Sequence, residues 1–208
     1  MSHMDAQSAS LTSAQLKKAK RDIRRRVLEA RDAMAQPDRA HRSRSITERF
    51  LARPEVEQAD VVMAFWSFGS EVDTSPLIEA LHGRGVAVAL PRIIERVIHP
   101  RTYAPGDPTT QTPFGALEPA GGQVLDPAVI DVIATPAVVF DRLGNRVGYG
   151  GGFYDRFFLQ TRPEAFRAGL AFDVQLLPRG QYLPGAAFDQ RVDAVVTEVE
   201  TVLCARAR

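Results

Sequence analysis

At 208 residues the chain has room for one domain with a full hydrophobic core, and 45% hydrophobic with 25% charged residues excludes a disordered or collagen-like polymer. A net charge of +1 gives no global pull toward nucleic acid or a membrane surface, and no apolar run reaches membrane-spanning length. The single cysteine, Cys204, excludes an internal disulfide framework and suits a reducing compartment, so we expect a cytoplasmic protein without membrane or nucleic-acid partners. The charge is unevenly spread, however. Residues 1–53 hold 13 Lys and Arg against 6 Asp and Glu, which suits an anionic ligand or, equally, a solvated helix face. Met1-Ser2-His3-Met4 reads as a cloning remnant, and residues 1–12 are expected to be disordered, leaving 13–208 as a single domain.

In chain order, Leu16, Ile23, Val27 and Met34 recur at helical spacing and predict a helix over Ser13–Ala35, with Ser13 as its cap. Lys20 and Arg24 are four apart and project from one face. Pro37 opens a second helix that runs to about Ala52. Val61–Trp66 is a short apolar run of the kind that makes a buried strand. It leads into Trp66-Ser67-Phe68-Gly69-Ser70-Glu71, and loops at strand ends are where ligands sit in open α/β sheets. Trp66 and Phe68 either stack on a flat ring or belong to the core; Glu71 either accepts hydrogen bonds from an amino-substituted heterocycle or caps a turn.

Thr74 and Pro76 start a helix closed by Gly83 and Gly85. Val86–Leu90 is the next strand, and Ile93–Tyr103 reads as one or two more. Arg92 either faces an anion or simply ends a surface strand. Residues 105–122, rich in Pro, Gly and Thr, read as an ordered loop. Apolar runs at Val129–Ala134 and Ala137–Phe140 surround Pro136 and are expected to form one central strand. A helix from Phe153 ends before Pro163, and strands follow at Ala168–Phe172 and Thr201–Cys204. Strands alternating with helices predict a mostly parallel sheet covered on both faces.

The densest chemistry lies at Arg146-Val147-Gly148-Tyr149-Gly150-Gly151-Gly152-Phe153-Tyr154-Asp155, where four glycines fall within five positions between a strand and a helix. Such a segment is either a flexible surface loop or an amide-lined cradle for phosphate, with the next helix's N-terminus adding positive charge. Arg146 would add a full charge, and Asp155 sits where a magnesium ion on that phosphate would be held. The segment lacks the G-x-x-x-x-G-K-[ST] of a P-loop and the spacing of a dinucleotide fingerprint.

This stretch, with Asp141 before it and Arg156 after it, resembles the signature of the 5-formyltetrahydrofolate cyclo-ligase family, approximately F-D-x-x-G-x-R-L-G-Y-G-G-G-Y-Y-D-R. Val147 and Phe153 are its conservative departures. Lys20-Arg21-Asp22-Ile23-Arg24 is similar to a family pair that contacts ATP phosphates, Glu71 with Thr74 to a family folate contact, and Val192–Glu198 to a stretch whose Asp, here Asp193, binds magnesium. Phe114–Pro119 resembles a segment that shapes the folate cleft. The resemblance runs from Lys20 to Val202, but the family's Glu-His before Asp189 is replaced by Ala187-Phe188.

The resemblance implies a three-layer α/β/α fold of the kind shared with sugar-phosphate isomerases and CoA transferases. It implies ATP- and Mg2+-dependent conversion of 5-formyltetrahydrofolate to 5,10-methenyltetrahydrofolate by a monomer. The residues implied are Arg146, Tyr154 and Asp155 for catalysis, and Lys20, Arg24, Arg146 and the run Gly148, Tyr149, Gly150, Gly151, Gly152, Phe153 and Tyr154 for ATP. Trp66, Phe68, Glu71, Tyr149, Gly150, Gly151, Gly152 and Phe153 are implied for folate, and Asp155 with Asp193 for the metal. Three other readings stay open: a nucleotide-binding module of this fold without turnover, an RNA-binding accessory protein using the basic first helix, and a ligase for another formylated substrate.

Overall fold

The computed structural model describes residues 12–112, 115–186 and 188–205. Its first helix, α1 (Ser13–Asp32), opens with a reciprocal capping box between Thr12 and Gln15, one residue before the expected cap. Two more helices, α2 (Gln36–Leu51) and the short α3 (Pro54–Glu57), each start at proline, whose missing N–H costs nothing there. Strand β1 (Val61–Met63) leads through the expected ligand loop to α4 (Ser75–Gly83) and then to a hairpin of β2 (Ala87–Ile94) and β3 (Val97–Thr102). The stretch expected to be a plain loop carries a second hairpin, β4 (Thr109–Gln111) with β5 (Leu117–Pro119).

The expected central strand is divided. β6 (Val132–Thr135) stays in the main sheet, Pro136 ends it, and β7 (Val139–Phe140) leaves to pair with β8 (Arg146–Val147). After the glycines come α5 (Phe153–Phe158), β9 (Phe166–Leu170), β10 (Ala194–Val196) and β11 (Thr201–Leu203).

The main sheet has the order β11-β10-β9-β6-β1-β2-β3. The five central strands run parallel, and β11 and β3 close the edges antiparallel. Alternation along the strands builds two cores. Val62, Val132, Ala134, Ala194 and Val196 pack with Ile46 and Phe50 of α2 and Leu77, Ile78 and Leu81 of α4. Met63, Ile133 and Val195 face the other way, toward Phe157 and Phe158 of α5. The result is the expected α/β/α arrangement with a mostly parallel central sheet.

Two features of this topology place the site. The chain builds outward from β1 through β2 and β3, then returns to β1's other side with β6 and continues outward through β9 and β10. The β1–β6 boundary is therefore the point where strand order reverses, and loops leaving the carboxyl ends of those strands flank a crevice. The second feature is α1. Its Ile23 and Val27 pack on Val138, Val139 and Val147 of the small β7–β8 sheet, so the helix lies alongside the segment that carries the glycines.

Candidate nucleotide and folate site

Lys20, Arg24, Val27 and Arg31 fall at i, i+4, i+7 and i+11, a single stripe along α1. Val27 is the apolar anchor of that stripe, so docking it carries Arg24 and Arg31 to the glycine stretch and Lys20 to Asp189. Arg24 Nε donates to the Gly148 carbonyl at 2.7 Å. Lys20 Nζ lies 2.5 Å from Asp189 Oδ2, which also accepts the Ala186 N–H. Arg31, 3% exposed, donates from Nε to Ser70 Oγ at 2.9 Å and from Nη2 to the Tyr149 hydroxyl at 3.0 Å. The Ser70 hydroxyl in turn donates a hydrogen bond to Asp32 Oδ1.

Within the glycine stretch two residues hold backbone conformations that side-chain-bearing residues avoid, Gly150 at φ +97° and Gly152 at φ +64°. Gly152 caps α5 in the left-handed region. The helix has only six residues, so the dipole expected to assist phosphate is confined to little more than one turn, and charge must come from side chains. The Phe153 ring folds back over Gly151, where a Cβ would come within 2.2 Å of it, and the Arg156 guanidinium covers the ring at 5.5 Å.

Arg146 and Asp155 form the charged centre. Arg146 Nη2 donates to Asp155 Oδ1 at 3.0 Å, and the guanidinium rests 5.0 Å above the Phe158 ring. Burial lowers the Arg146 pKa from its ordinary value, and the neighbouring Asp155 charge opposes that shift. Asp155 Oδ1 also accepts the Gln190 N–H at 3.0 Å. Its Oδ2 lies beside the glycines, 3.9 Å from where a Cβ on Gly152 would sit. Tyr154 packs edge-on against Phe157 and Phe158, and its buried hydroxyl has no hydrogen-bond partner among the described residues. Burial, with Glu71 nearby, pushes that phenol well above its ordinary pKa, so Tyr154 is a neutral donor at physiological pH.

The loop after β1 reaches the same place through Phe68 and Glu71. Phe68 stacks at a tilt on Tyr149, ring centroids 5.5 Å apart. Glu71 is buried and accepts the Phe68 N–H. Burial pushes its carboxyl up to about 7, with Arg31 the main opposing influence. Glu71 and Arg31 line one narrow crevice whose apolar walls include Phe65, Val72, Pro136 and Leu170.

Four sequence expectations find different surroundings. Trp66 does not join Phe68; it meets Tyr103 edge-on at 5.5 Å and lines a separate pocket of about 120 Å³ with Ile78 and Pro105. Arg92 donates to the Pro119 and Ala120 carbonyls, tying β2 to the second hairpin. Glu118 likewise accepts the Ile93 N–H, while Phe114 of that segment lies outside the described residues. Asp193 immediately precedes β10, where its carboxylate accepts the Arg167 N–H at 2.9 Å. Asp155 and Asp193 are thus joined by the 190–193 strap but take hydrogen bonds from different groups. Among the described residues no set of three or more His, Cys, Asp and Glu side chains is arranged to hold a metal by itself.

Sequence reasoning missed Arg31 and Asp189. The signal for Arg31 was its place seven residues after Arg24, on a stripe that also carries a core valine. Asp189 offered no comparable signal, since its contact with Lys20 spans 169 positions. No helix among the described residues is long and apolar enough to cross a membrane.

The model of the 5-formyltetrahydrofolate cyclo-ligase family matches residues 16–198. The chain is 33% identical to the 5-formyltetrahydrofolate cyclo-ligase of Haemophilus influenzae, over 75% of this chain and 87% of that protein. It is equally identical to the Escherichia coli K12 protein of that name, over 82% and 96%. Among solved structures, the 5,10-methenyltetrahydrofolate synthetase of Aquifex aeolicus superposes with a TM-score of 0.79 at 28% identity, covering 91% of this chain and 94% of the other. A Mycoplasma pneumoniae synthetase shares the fold at a TM-score of 0.70 and 20% identity, covering 86% and 98%. With most of its length matched by the family model, and with the glycine stretch, Arg146 and Asp155 assembled at the strand-order reversal, the chain belongs to the 5-formyltetrahydrofolate cyclo-ligase family.

Proposed function

We propose that this protein converts 5-formyltetrahydrofolate to 5,10-methenyltetrahydrofolate with ATP and Mg2+, releasing ADP and phosphate. The observation that carries the proposal is the meeting of two ligand segments at one place: the glycine stretch with Arg146 and Asp155, and the β1 loop with Glu71, bridged by Arg31.

The triphosphate is assigned to the glycine stretch. Lys20, Arg24 and Arg146 surround it, and a charged hydrogen bond to phosphate contributes about 1.5–3 kcal/mol each. Magnesium commonly keeps several waters and binds through one or two carboxylates plus substrate phosphates, so a three-ligand protein cage is not required. Asp155 Oδ2, turned toward the glycines, fits that role, and Asp193 is the second carboxylate we assign to it. Bound there, the ion would neutralise charge on the phosphates.

The folate ring is assigned to the side of Glu71, Phe68 and Tyr149. The N5-formyl oxygen attacks the γ-phosphorus of ATP and ADP leaves. N10 then adds to the formyl carbon, closing the ring and giving up its proton to solvent or to the phosphate, and the C–O bond breaks to release phosphate that keeps the former formyl oxygen. No covalent enzyme intermediate enters; the chain's part is to align the two substrates and hold cationic donors against the transferred group. Tyr154, neutral and buried, adds an O–H donor beside that centre.

Mixing the purified protein with ATP, Mg2+ and 5-formyltetrahydrofolate tests the proposal. The methenyl chromophore should appear only when all three are present. Nucleotide binding without any chromophore would favour the non-catalytic module instead.

A further inference from the structure

The geometry points to Arg31 as a substrate-recognition residue, whose remaining guanidinium N–H donors take the ring carbonyl oxygen of the folate while Glu71 takes the adjacent N–H edge. This deepens the proposed function and rests on it.

Three observations carry the inference. The first is how completely the guanidinium is fixed. Nε is held by Ser70, which is held in turn by Asp32, and Nη2 is held by Tyr149. A planar fork anchored at two of its nitrogens has no freedom left at the third. The second is that the third nitrogen, Nη1, is buried and has no hydrogen-bond partner among the described residues. Buried donors are almost always satisfied, and leaving one unpaired is destabilising, so an orphan on an otherwise fully anchored cation marks the place of an absent acceptor.

The third is what stands across from it. Arg31 and Glu71 line the same crevice, yet among the described residues no ion pair joins them. This narrow crevice thus brings a fixed guanidinium and a buried carboxylate together beside Phe65, Val72, Pro136, Leu170 and the Gln175 side chain. A flat heterocycle with a carbonyl oxygen next to a ring N–H and an amino group offers the complementary edge. The pyrimidine half of 5-formyltetrahydrofolate is such an edge. ATP's adenine, which lacks a ring carbonyl, is not.

The test compares 5-formyltetrahydrofolate with its 4-deoxo analogue, in which hydrogen replaces the ring carbonyl oxygen. Affinities for wild type, Arg31→Met and Arg31→Lys are measured by titration calorimetry, with a non-hydrolysable ATP analogue reporting that the nucleotide side is intact. Wild type should prefer the oxo compound by about 10- to 100-fold, the range of one charge-assisted hydrogen bond. Arg31→Met should lose that preference while binding the ATP analogue within about twofold of wild type. Arg31→Lys, which restores a cation without the anchored fork, should regain only part of it.

A wild type that binds both compounds equally overturns the assignment, whether or not the variants fold. Retained discrimination in a folded Arg31→Met overturns it too, leaving Arg31 a structural brace for Tyr149. If wild type binds the ATP analogue but neither folate, the proposed function has failed and this inference falls with it.

Discussion

Arg146 Nη2 donates to Asp155 Oδ1 across 3.0 Å, with the two side chains only 7% and 19% exposed. Asp155 therefore serves two ends: one oxygen holds a buried cation in place and the other faces the glycines. Asp155→Asn keeps the shape but leaves the guanidinium without its counter-charge, and Arg146→Ala removes the cation. We expect both to cut kcat at least 100-fold, the effect of losing one transition-state donor. Arg146→Ala should also lower stability by about 3 kcal/mol, the low end for breaking a largely buried pair. Steady-state turnover alongside urea unfolding checks this; near-wild-type kcat in either folded variant refutes the role.

Glu71 belongs to the folate side of the crevice. Glu71→Ala should weaken 5-formyltetrahydrofolate binding by about 10- to 100-fold, since a buried hydrogen-bonding carboxyl is lost. ATP-analogue affinity should stay within about twofold. Parallel calorimetric titrations decide it, and an equal loss for both ligands would point to general collapse of the site.

The same residue makes stability pH-dependent in a specific direction. Burial raises the Glu71 carboxyl in the folded protein from 4.5 to about 7, although Arg31 opposes the shift and Tyr149 and Tyr154 lie close. Between these values the folded state holds a proton that the unfolded state has lost, so this residue's contribution to stability falls as pH rises from about 4.5 to about 7. Glu71→Gln removes that dependence. Relative to the variant, wild type should lose up to about 3 kcal/mol between pH 5 and pH 8 in urea melts. A constant difference across that window contradicts the burial argument.

From α1, Arg24 reaches the Gly148 carbonyl and Lys20 reaches Asp189. Replacing either by Met should raise the ATP KM about tenfold, one charged contact each, and leave the folate KM within about twofold. Lys20→Met should show the smaller change if Asp189, its present partner, competes with phosphate for it.

Gly150 holds φ +97° with Arg24 close by. Gly150→Ala should cost about 1–3 kcal/mol in backbone strain. It should also weaken ATP binding beyond that of an alanine placed at Gly148, where a Cβ meets nothing within 4 Å. Equal effects at the two positions would mean the backbone conformation is not what the cradle requires.

The parts legible in the sequence were those whose physics is local. Helix starts followed proline and cap chemistry, the glycine run announced itself, and Arg146 with Asp155 lay nine positions apart around it. What stayed hidden depended on long-range contacts. Thr109–Gln111 and Leu117–Pro119 are three-residue strands that show no alternation, so Pro and Gly between them read as loop. Pro136 was seen, but not that it ends one strand and frees the next two residues-long pair for another sheet. Trp66 and Phe68, two apart, looked like one aromatic wall; their rings instead pack on Tyr103 and Tyr149. Arg31 does not stand out in the sequence because burial of a cation is set by what closes over it.

The central claim is that the formyl oxygen itself attacks the γ-phosphorus while the glycine stretch holds the triphosphate. The most direct measurement starts from 5-formyltetrahydrofolate carrying 18O in its formyl group, with ATP and Mg2+, and reads the isotope in the released phosphate by mass spectrometry. The account predicts one 18O per phosphate formed, matched to methenyl product. Unlabelled phosphate, with the isotope recovered in water, would contradict it.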